Sequence, residues 1–138
     1  MNKNHGKNNF ITHRIGLYKF AYDLSKNGNN VEIDTSASKF GHIAIHKGDE
    51  DVYVMVKALT NLDPVPFSSD FEITSRFDYL VVCVGVYDAE ISYYKLDMQY
   101  VRNGISSNTG KDGKINYWLD PPKYKDFKVN SLNFHEGA

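Results

Sequence analysis

The sequence predicts a single α/β domain with a mixed central sheet of about five strands flanked by helices. Three observations lead to this prediction. The chain of 138 residues is long enough for one domain with a sizeable core. Apolar residues make up 41% of it and aromatic residues 14%, which excludes a wholly disordered chain. Segments with helical periodicity alternate with segments that have a period of two or are continuously apolar.

Composition excludes several classes of protein. No apolar run approaches the roughly 20 residues that a membrane span requires, and residues 1–10 contain no hydrophobic stretch typical of a secretory signal. Cys83 is the single cysteine, which excludes an intramolecular disulfide framework and a Cys-rich zinc site. Because Cys83 lies in the most apolar segment, we expect a buried, inert thiol. These features predict a soluble, cytoplasmic protein without a membrane partner.

The charges are unevenly distributed along the chain, although the net charge is only −1. Residues 1–48 contain seven Lys or Arg and three Asp or Glu, whereas residues 49–97 contain three Lys or Arg and ten Asp or Glu. A mixed, solvated surface is one interpretation, and a basic patch on the N-terminal helix is another. On the second interpretation Arg14, Lys19 and Lys26 contact phosphates, although they do not all lie on one helical face.

Hydrophobic periodicity predicts the elements of the N-terminal half. Apolar residues at spacings of three and four indicate a helix over 9–26, which the Asn- and Gly-rich segment 27–30 ends. Apolar and acidic residues alternate over 31–35, which is typical of a strand. Two further strands, 41–47 and 50–58, are predicted to form a hairpin because a Gly-Asp pair separates them.

The hairpin turn also predicts a register. If Lys47 faces Glu50, His42 lies directly opposite Met55. Since side chains alternate between the two faces of a strand, one face carries mainly polar residues and the other is apolar and belongs to the core. The mainly polar face contains His42, Ala44, His46, Tyr53, Met55 and Lys57.

The C-terminal half continues the sheet. Residues 79–87 are a continuous apolar run, which is typical of a strand buried on both faces. The other predicted elements are a long connection over 60–77, strands over 91–96 and 115–119, a short helix over 98–103, a mobile loop over 105–114, and a last helix that Asp120 caps, with Pro121 and Pro122 in its first turn. The whole chain, 1–138, is expected to form one domain, with flexible ends at 1–8 and 129–138.

This order of elements resembles the PD-(D/E)XK superfamily of restriction-like and homing-type endonucleases over roughly residues 10–128. The most specific segments are 41–59, with the hairpin, and the Asp-Tyr-Leu-Val-Val run at 78–82. The Tyr-Trp-Leu-Asp-Pro run at 117–121 also resembles small members of this group. The resemblance implies a restriction-endonuclease-like fold. Active members carry an Asp on one strand and a Glu or Gln on the next, with a Lys two residues after the Glu or Gln. These residues act with Mg²⁺ to cleave DNA.

At the motif positions this chain has the expected spacing but different residue types. The Asp position holds His42 and the Glu or Gln position holds Met55, and only Lys57 matches. Leu17 stands after Gly16, where many such families carry a Glu. Because Mg²⁺ prefers oxygen ligands, His and Met do not replace the missing acids. We therefore expect no cofactor, and a pseudoenzyme that binds DNA or a protein partner through a remnant active-site cleft.

Two alternative functions stay open. The first is an active Mg²⁺-dependent endonuclease in which Glu32 and Asp34 replace the motif acids, provided that strand 31–35 lies alongside the hairpin. The second is an interaction or immunity-type protein that does not bind nucleic acid. Lys57 either contacts phosphate or has a structural role, paired with Asp34 or Glu32. A homodimer is a further possibility, because nucleases of this kind cut two strands with two subunits.

Overall fold

Strands dominate the structure, a computed structural model that describes residues 5–35, 41–67, 77–132 and 134. The helices in these ranges are α1 (His5–Lys26) and α2 (Met98–Gly104). The strands are β1 (Asn30–Asp34), β2 (His42–Lys47), β3 (Glu50–Leu59), β4 (Val65–Phe67), β5 (Tyr79–Val84), β6 (Ser92–Asp97), β7 (Ser106–Thr109), β8 (Ile115–Leu119) and β9 (Lys128–Val129).

The central sheet is mixed, as predicted, and the fold is α/β. Its strand order is β1-β2-β3-β5-β6-β9, and only the β3–β5 pair is parallel. It has six strands rather than five, because β9 adds an edge strand of two residues that shows no alternation in the sequence. The predicted strand 115–119 forms, but it belongs to a second sheet with the order β4-β8-β7.

The hairpin has the predicted register. His42 pairs with Met55, and Lys47 pairs with Glu50 across the turn. Gly48 has a φ of +63°, a conformation that other residues rarely adopt, which suits this tight turn. Ile43 and Val54 are fully buried on the face opposite His42, as the alternation predicts.

Helix α1 covers this apolar face of the sheet. Leu17, Phe20 and Leu24 are buried against the strands and belong to the same core cluster as Ile43. Gly16 allows α1 to approach β3 closely, since a Cβ at this position would lie 2.5 Å from the Cβ of Ala58 on β3. The helix therefore lies on one face of the sheet only.

The second sheet and α2 cover part of the opposite face. This second core contains Met55 of β3 and Phe67 of β4, together with Leu80, Leu96 and Leu119. Strands β4 and β7 lie in segments that the sequence predicts to be a connection and a loop. The sequence does not reveal them, because both strands are short and β7 is mostly polar. Residues 68–76 of that connection lie outside the described ranges.

The prediction of a C-terminal helix is wrong. Residues Pro121–Lys123 form a single 3-10 turn, after which the chain enters β9. The ring of Tyr124 is fully buried, and its hydroxyl donates to the carbonyl of Asp63 at 2.6 Å, so the chain is held at this point before a helix can continue.

Both ends of the described chain take part in the fold. Helix α1 starts at His5, and Leu132 and Phe134 are buried in the core beneath α1. Residues 1–4, 133 and 135–138 lie outside the described ranges, and the flexibility expected at 1–8 and 129–138 stays a prediction. No helix in the described part of the chain is long and apolar enough to cross a membrane.

Candidate functional site

The motif positions lie on the face of β1–β3 that points away from α1, which we name the motif face. Strand pairing places Asp34, His42 and Met55 in one row across β1, β2 and β3. The Nε2 atom of His42 lies 3.8 Å from Oδ2 of Asp34. The structure thus brings one of the two predicted replacement acids beside the motif position. Glu32, the other one, pairs with Ala44, one row further along the sheet.

The Lys57 end of the motif face is covered. Lys57 is only 6% exposed, and Met55 beside it is also buried. The Nζ atom of Lys57 lies 5.1 Å from the ring centroid of Phe67, which belongs to β4 of the second sheet. This is a cation–π distance, and the lysine stem packs within an apolar core. The only residue that matches the nuclease motif is therefore beneath a protein layer.

The opposite end of the motif face is open and polar. His46 lies between two carboxylates, with Nδ1 2.8 Å from Oδ1 of Asp51 and Nε2 3.1 Å from Oε1 of Glu32. A protonated imidazole donates to both oxygens at once. The hydrogen bond to Asp51, followed by that to Glu32, raises the pKa of His46 above its usual value of 6.5.

Aromatic rings border this polar region. The ring of Phe77 stands edge-on to that of His42, with centroids 5.2 Å apart, and Tyr53 approaches His42 at 6.3 Å. The Tyr53 hydroxyl donates to Oδ2 of Asp51 at 3.4 Å, and repulsion between Asp51 and a phenolate raises the pKa of Tyr53. We name the exposed surface formed by Glu32, Asp34, His46, Asp51 and Tyr53 the acidic face.

The acidic groups do not form a metal site. In the described ranges no three His, Cys, Asp or Glu side chains come together in a way that could hold a metal ion. Asp51 is hydrogen-bonded to Nδ1 of His46 and Glu32 to Nε2, so the two carboxylates lie on opposite sides of the ring and do not converge on a common point. Both carboxylates instead share the imidazole of His46.

The predicted phosphate-binding residues lie elsewhere. Arg14 donates from Nη1 to the hydroxyl of Tyr18 at 3.2 Å, and Lys26 lies 5.3 Å from the ring centroid of Tyr22. Lys19 donates to the carbonyl of Val86 at 2.8 Å. All three belong to α1, which packs against the other face of the sheet. The structure therefore does not bring them together with Lys57.

The cluster around His46 is the part of the site that the sequence analysis missed. The predicted hairpin register already places His46 opposite Asp51, since it is the same register that places His42 opposite Met55. The third member, Glu32, requires the register of β1 on β2, which no short turn fixes. Cys83 is a free, fully buried cysteine, and burial raises the pKa of its thiol, in agreement with an inert group.

Comparisons with protein-family models, with curated proteins and with solved structures found no match to this chain. The α/β class therefore rests on the structure itself, and kinship with the PD-(D/E)XK nucleases is a hypothesis based on the sequence resemblance.

Proposed function

We propose that this chain is a catalytically inactive, nuclease-like protein that binds a basic protein partner through the acidic face. One observation carries the proposal: Lys57 is buried beneath Phe67, while the carboxylates at the other end of the same face are exposed. The face is thus closed where nuclease chemistry would take place and open where it carries negative charge.

The buried position of Lys57 supports the inactive state. To polarise water or a phosphate, a lysine must reach the scissile phosphate, and here β4 lies in between. His42 and Met55 also offer no carboxylate to a divalent cation, which prefers oxygen ligands. Both the metal ligands and the access that cleavage requires are therefore missing from the motif positions.

The charge of the acidic face supports a protein partner over DNA. Three carboxylates lie on this face, those of Glu32, Asp34 and Asp51, and they repel phosphate groups. A partner rich in Lys and Arg complements them. The exposed ring of Tyr53 and the half-buried ring of Phe77 add the aromatic contact area that is enriched at protein interfaces.

One observation favours the second candidate, an active endonuclease with a relocated acid. Asp34 stands 3.8 Å from His42, so a carboxylate lies beside the motif position. This candidate requires Mg²⁺- or Mn²⁺-dependent cleavage of DNA that Asp34→Asn abolishes. The inactive protein that we propose shows no such cleavage.

Binding of a Lys- and Arg-rich peptide tests the proposed function. The peptide and a DNA duplex of about 20 base pairs would each be titrated at low salt into the wild type and into Glu32→Gln/Asp51→Asn. We expect the peptide to bind the wild type and to bind the variant at least about fivefold more weakly. The matched control is Glu90→Gln/Asp126→Asn, which removes two exposed carboxylates outside the acidic face. Equal peptide affinities in all three proteins, or duplex binding that Lys57→Met weakens, would refute the proposal.

A further inference from the structure

The side of α1 that faces away from the sheet exposes large side chains. Tyr18 is 51% exposed and Tyr22 63%, and Ile11 is also exposed. With 3.6 residues per turn, these three positions fall within about 40° of rotation around the helix axis. They form one stripe opposite the buried side chains of α1. Burial against the sheet does not account for this stripe.

Two cations flank the stripe, and each contacts aromatic side chains of α1. Arg14 donates to the Tyr18 hydroxyl at 3.2 Å and lies 5.1 Å from the ring centroid of Phe10. Lys26 lies 5.3 Å from the ring centroid of Tyr22. We name the surface formed by Ile11, Arg14, Tyr18, Tyr22 and Lys26 the outer face of α1.

The acidic content of α1 is low. The only acidic residue of the helix is Asp23, and its Oδ2 accepts a hydrogen bond of 2.7 Å from the hydroxyl of Tyr93 on β6. Asp23 is thereby directed toward the sheet and away from the stripe. The outer face of α1 thus places a guanidinium and an ammonium group beside two exposed phenol rings, a combination that suits an anionic ligand with flat groups.

We propose that the outer face of α1 binds single-stranded nucleic acid. Bases stack on the rings of Tyr18 and Tyr22, while Arg14 and Lys26 contact phosphates on either side. Aromatic rings beside cationic groups are the usual means by which proteins bind single strands without sequence preference. This function goes beyond the proposed protein binding, because it uses the opposite face of the sheet.

The spacing of the two rings selects a single strand over a duplex. Tyr18 and Tyr22 are four residues apart, which is a rise of about 6 Å along the helix. Stacked bases in a duplex are about 3.4 Å apart and leave no face free for a protein ring. Only a strand whose bases are separated from one another can place one base on each tyrosine.

The same stripe does not match a helix that docks in an apolar groove of another protein. Such a helix presents apolar anchors at positions i, i+3, i+4 and i+7. Counted from Ile11, position i+3 is the charged Arg14, and position i+4 is Ile15, which is partly buried against the core. The apolar row is therefore interrupted, whereas stacking requires only the two rings.

Fluorescence anisotropy with a labelled thymidine oligonucleotide of about 20 nucleotides tests this inference. Loss of one stacked base weakens binding by about 5- to 150-fold, so Tyr18→Ala/Tyr22→Ala should bind at least about 25-fold more weakly than the wild type. Tyr18→Phe/Tyr22→Phe keeps the rings and should retain the affinity. The control Tyr100→Ala/Phe127→Ala removes another exposed pair of rings, 5.1 Å apart, and should also bind as the wild type does.

Two further measurements separate stacking from simple charge attraction. Arg14→Gln/Lys26→Gln should reduce the slope of log affinity against log salt by about 1.4, the value for two phosphate contacts of a single strand. An abasic oligomer with the same number of phosphates should bind more weakly than the thymidine probe. Equal binding of the two oligomers, no binding of either at low salt, or full affinity of Tyr18→Ala/Tyr22→Ala would overturn the inference. Each of these results leaves the peptide binding of the acidic face unaffected.

Discussion

The two ends of the motif face contain similar groups in different surroundings. At one end the ammonium of Lys57 lies beneath the ring of Phe67, and at the other the partly exposed imidazole of His46 lies between Glu32 and Asp51. All of these residues except Phe67 lie on three adjacent strands, β1 to β3. The covering layer makes the difference, because β4 lies over one end and leaves the other open. The chemistry available to a strand face thus depends on what packs over it as much as on its own residues.

The largest expected effect comes from removing the cover. Phe67→Ala deletes a buried ring that packs on Lys57, which should lower the free energy of unfolding by about 3–5 kcal/mol. Urea denaturation monitored by circular dichroism measures the change. As a control, Phe127→Ala removes a ring that is 40% exposed, and its effect should stay below about 1 kcal/mol. A loss below about 1 kcal/mol in Phe67→Ala would show that β4 does not seal this end.

The contrast between the two ends was only partly predictable. The Gly48-Asp49 turn gives the hairpin register, so the sequence correctly places His42 opposite Met55 and Lys57 on the same face. The cover over Lys57 comes from Phe67, in a strand of three residues that pairs with the distant β8. No local pattern reveals this packing, since it depends on contacts between segments that are far apart in the chain.

Dependence on contacts between distant segments also explains the errors in the predicted fold. The continuous apolar run after Asp78 correctly predicts β5, because burial on both faces leaves a strong sequence signal. Pro121 and Pro122 suit the first turn of a helix equally well whether or not a helix follows. Burial of Tyr124 and pairing of β9 with β6 decide against it, and both are tertiary interactions.

The second prediction concerns pH and the open end. The pKa of His46 is raised in the folded state, so its ion pairs stabilise the fold fully below pH 6.5, and this contribution is lost as the pH rises through the folded-state pKa. The melting temperature of the wild type, relative to that of His46→Gln, should therefore fall from pH 6 towards pH 9. The effect should be modest because the pairs are exposed.

Two results would contradict this account of the open end. A difference in melting temperature that is constant over the range would show that His46 does not change its charge on folding as described. The double variant Glu32→Gln/Asp51→Asn removes both carboxylates, so an NMR titration of its His46 should give a pKa lower than in the wild type. An unchanged pKa in that variant would exclude the two carboxylates as the cause.

The smallest expected effect concerns Lys57 and DNA. Because Lys57 is buried under β4, Lys57→Met should leave the affinity for a duplex of about 20 base pairs, and its salt dependence, unchanged. Fluorescence anisotropy at low and moderate salt measures both quantities. A decrease in the salt slope by about one contact in the variant would mean that Lys57 reaches a phosphate, and it would remove the distinction between the covered and open ends.

Plasmid nicking is the most direct test of the claim that the motif face has lost nuclease chemistry. The repurified wild-type protein would be incubated with supercoiled DNA and Mg²⁺ or Mn²⁺, with and without EDTA, beside Asp34→Asn. We expect no cleavage that EDTA abolishes, because His42 and Met55 supply no carboxylate and Lys57 is covered. Metal-dependent nicking that persists through repurification and disappears in Asp34→Asn would contradict the account and establish a relocated active site.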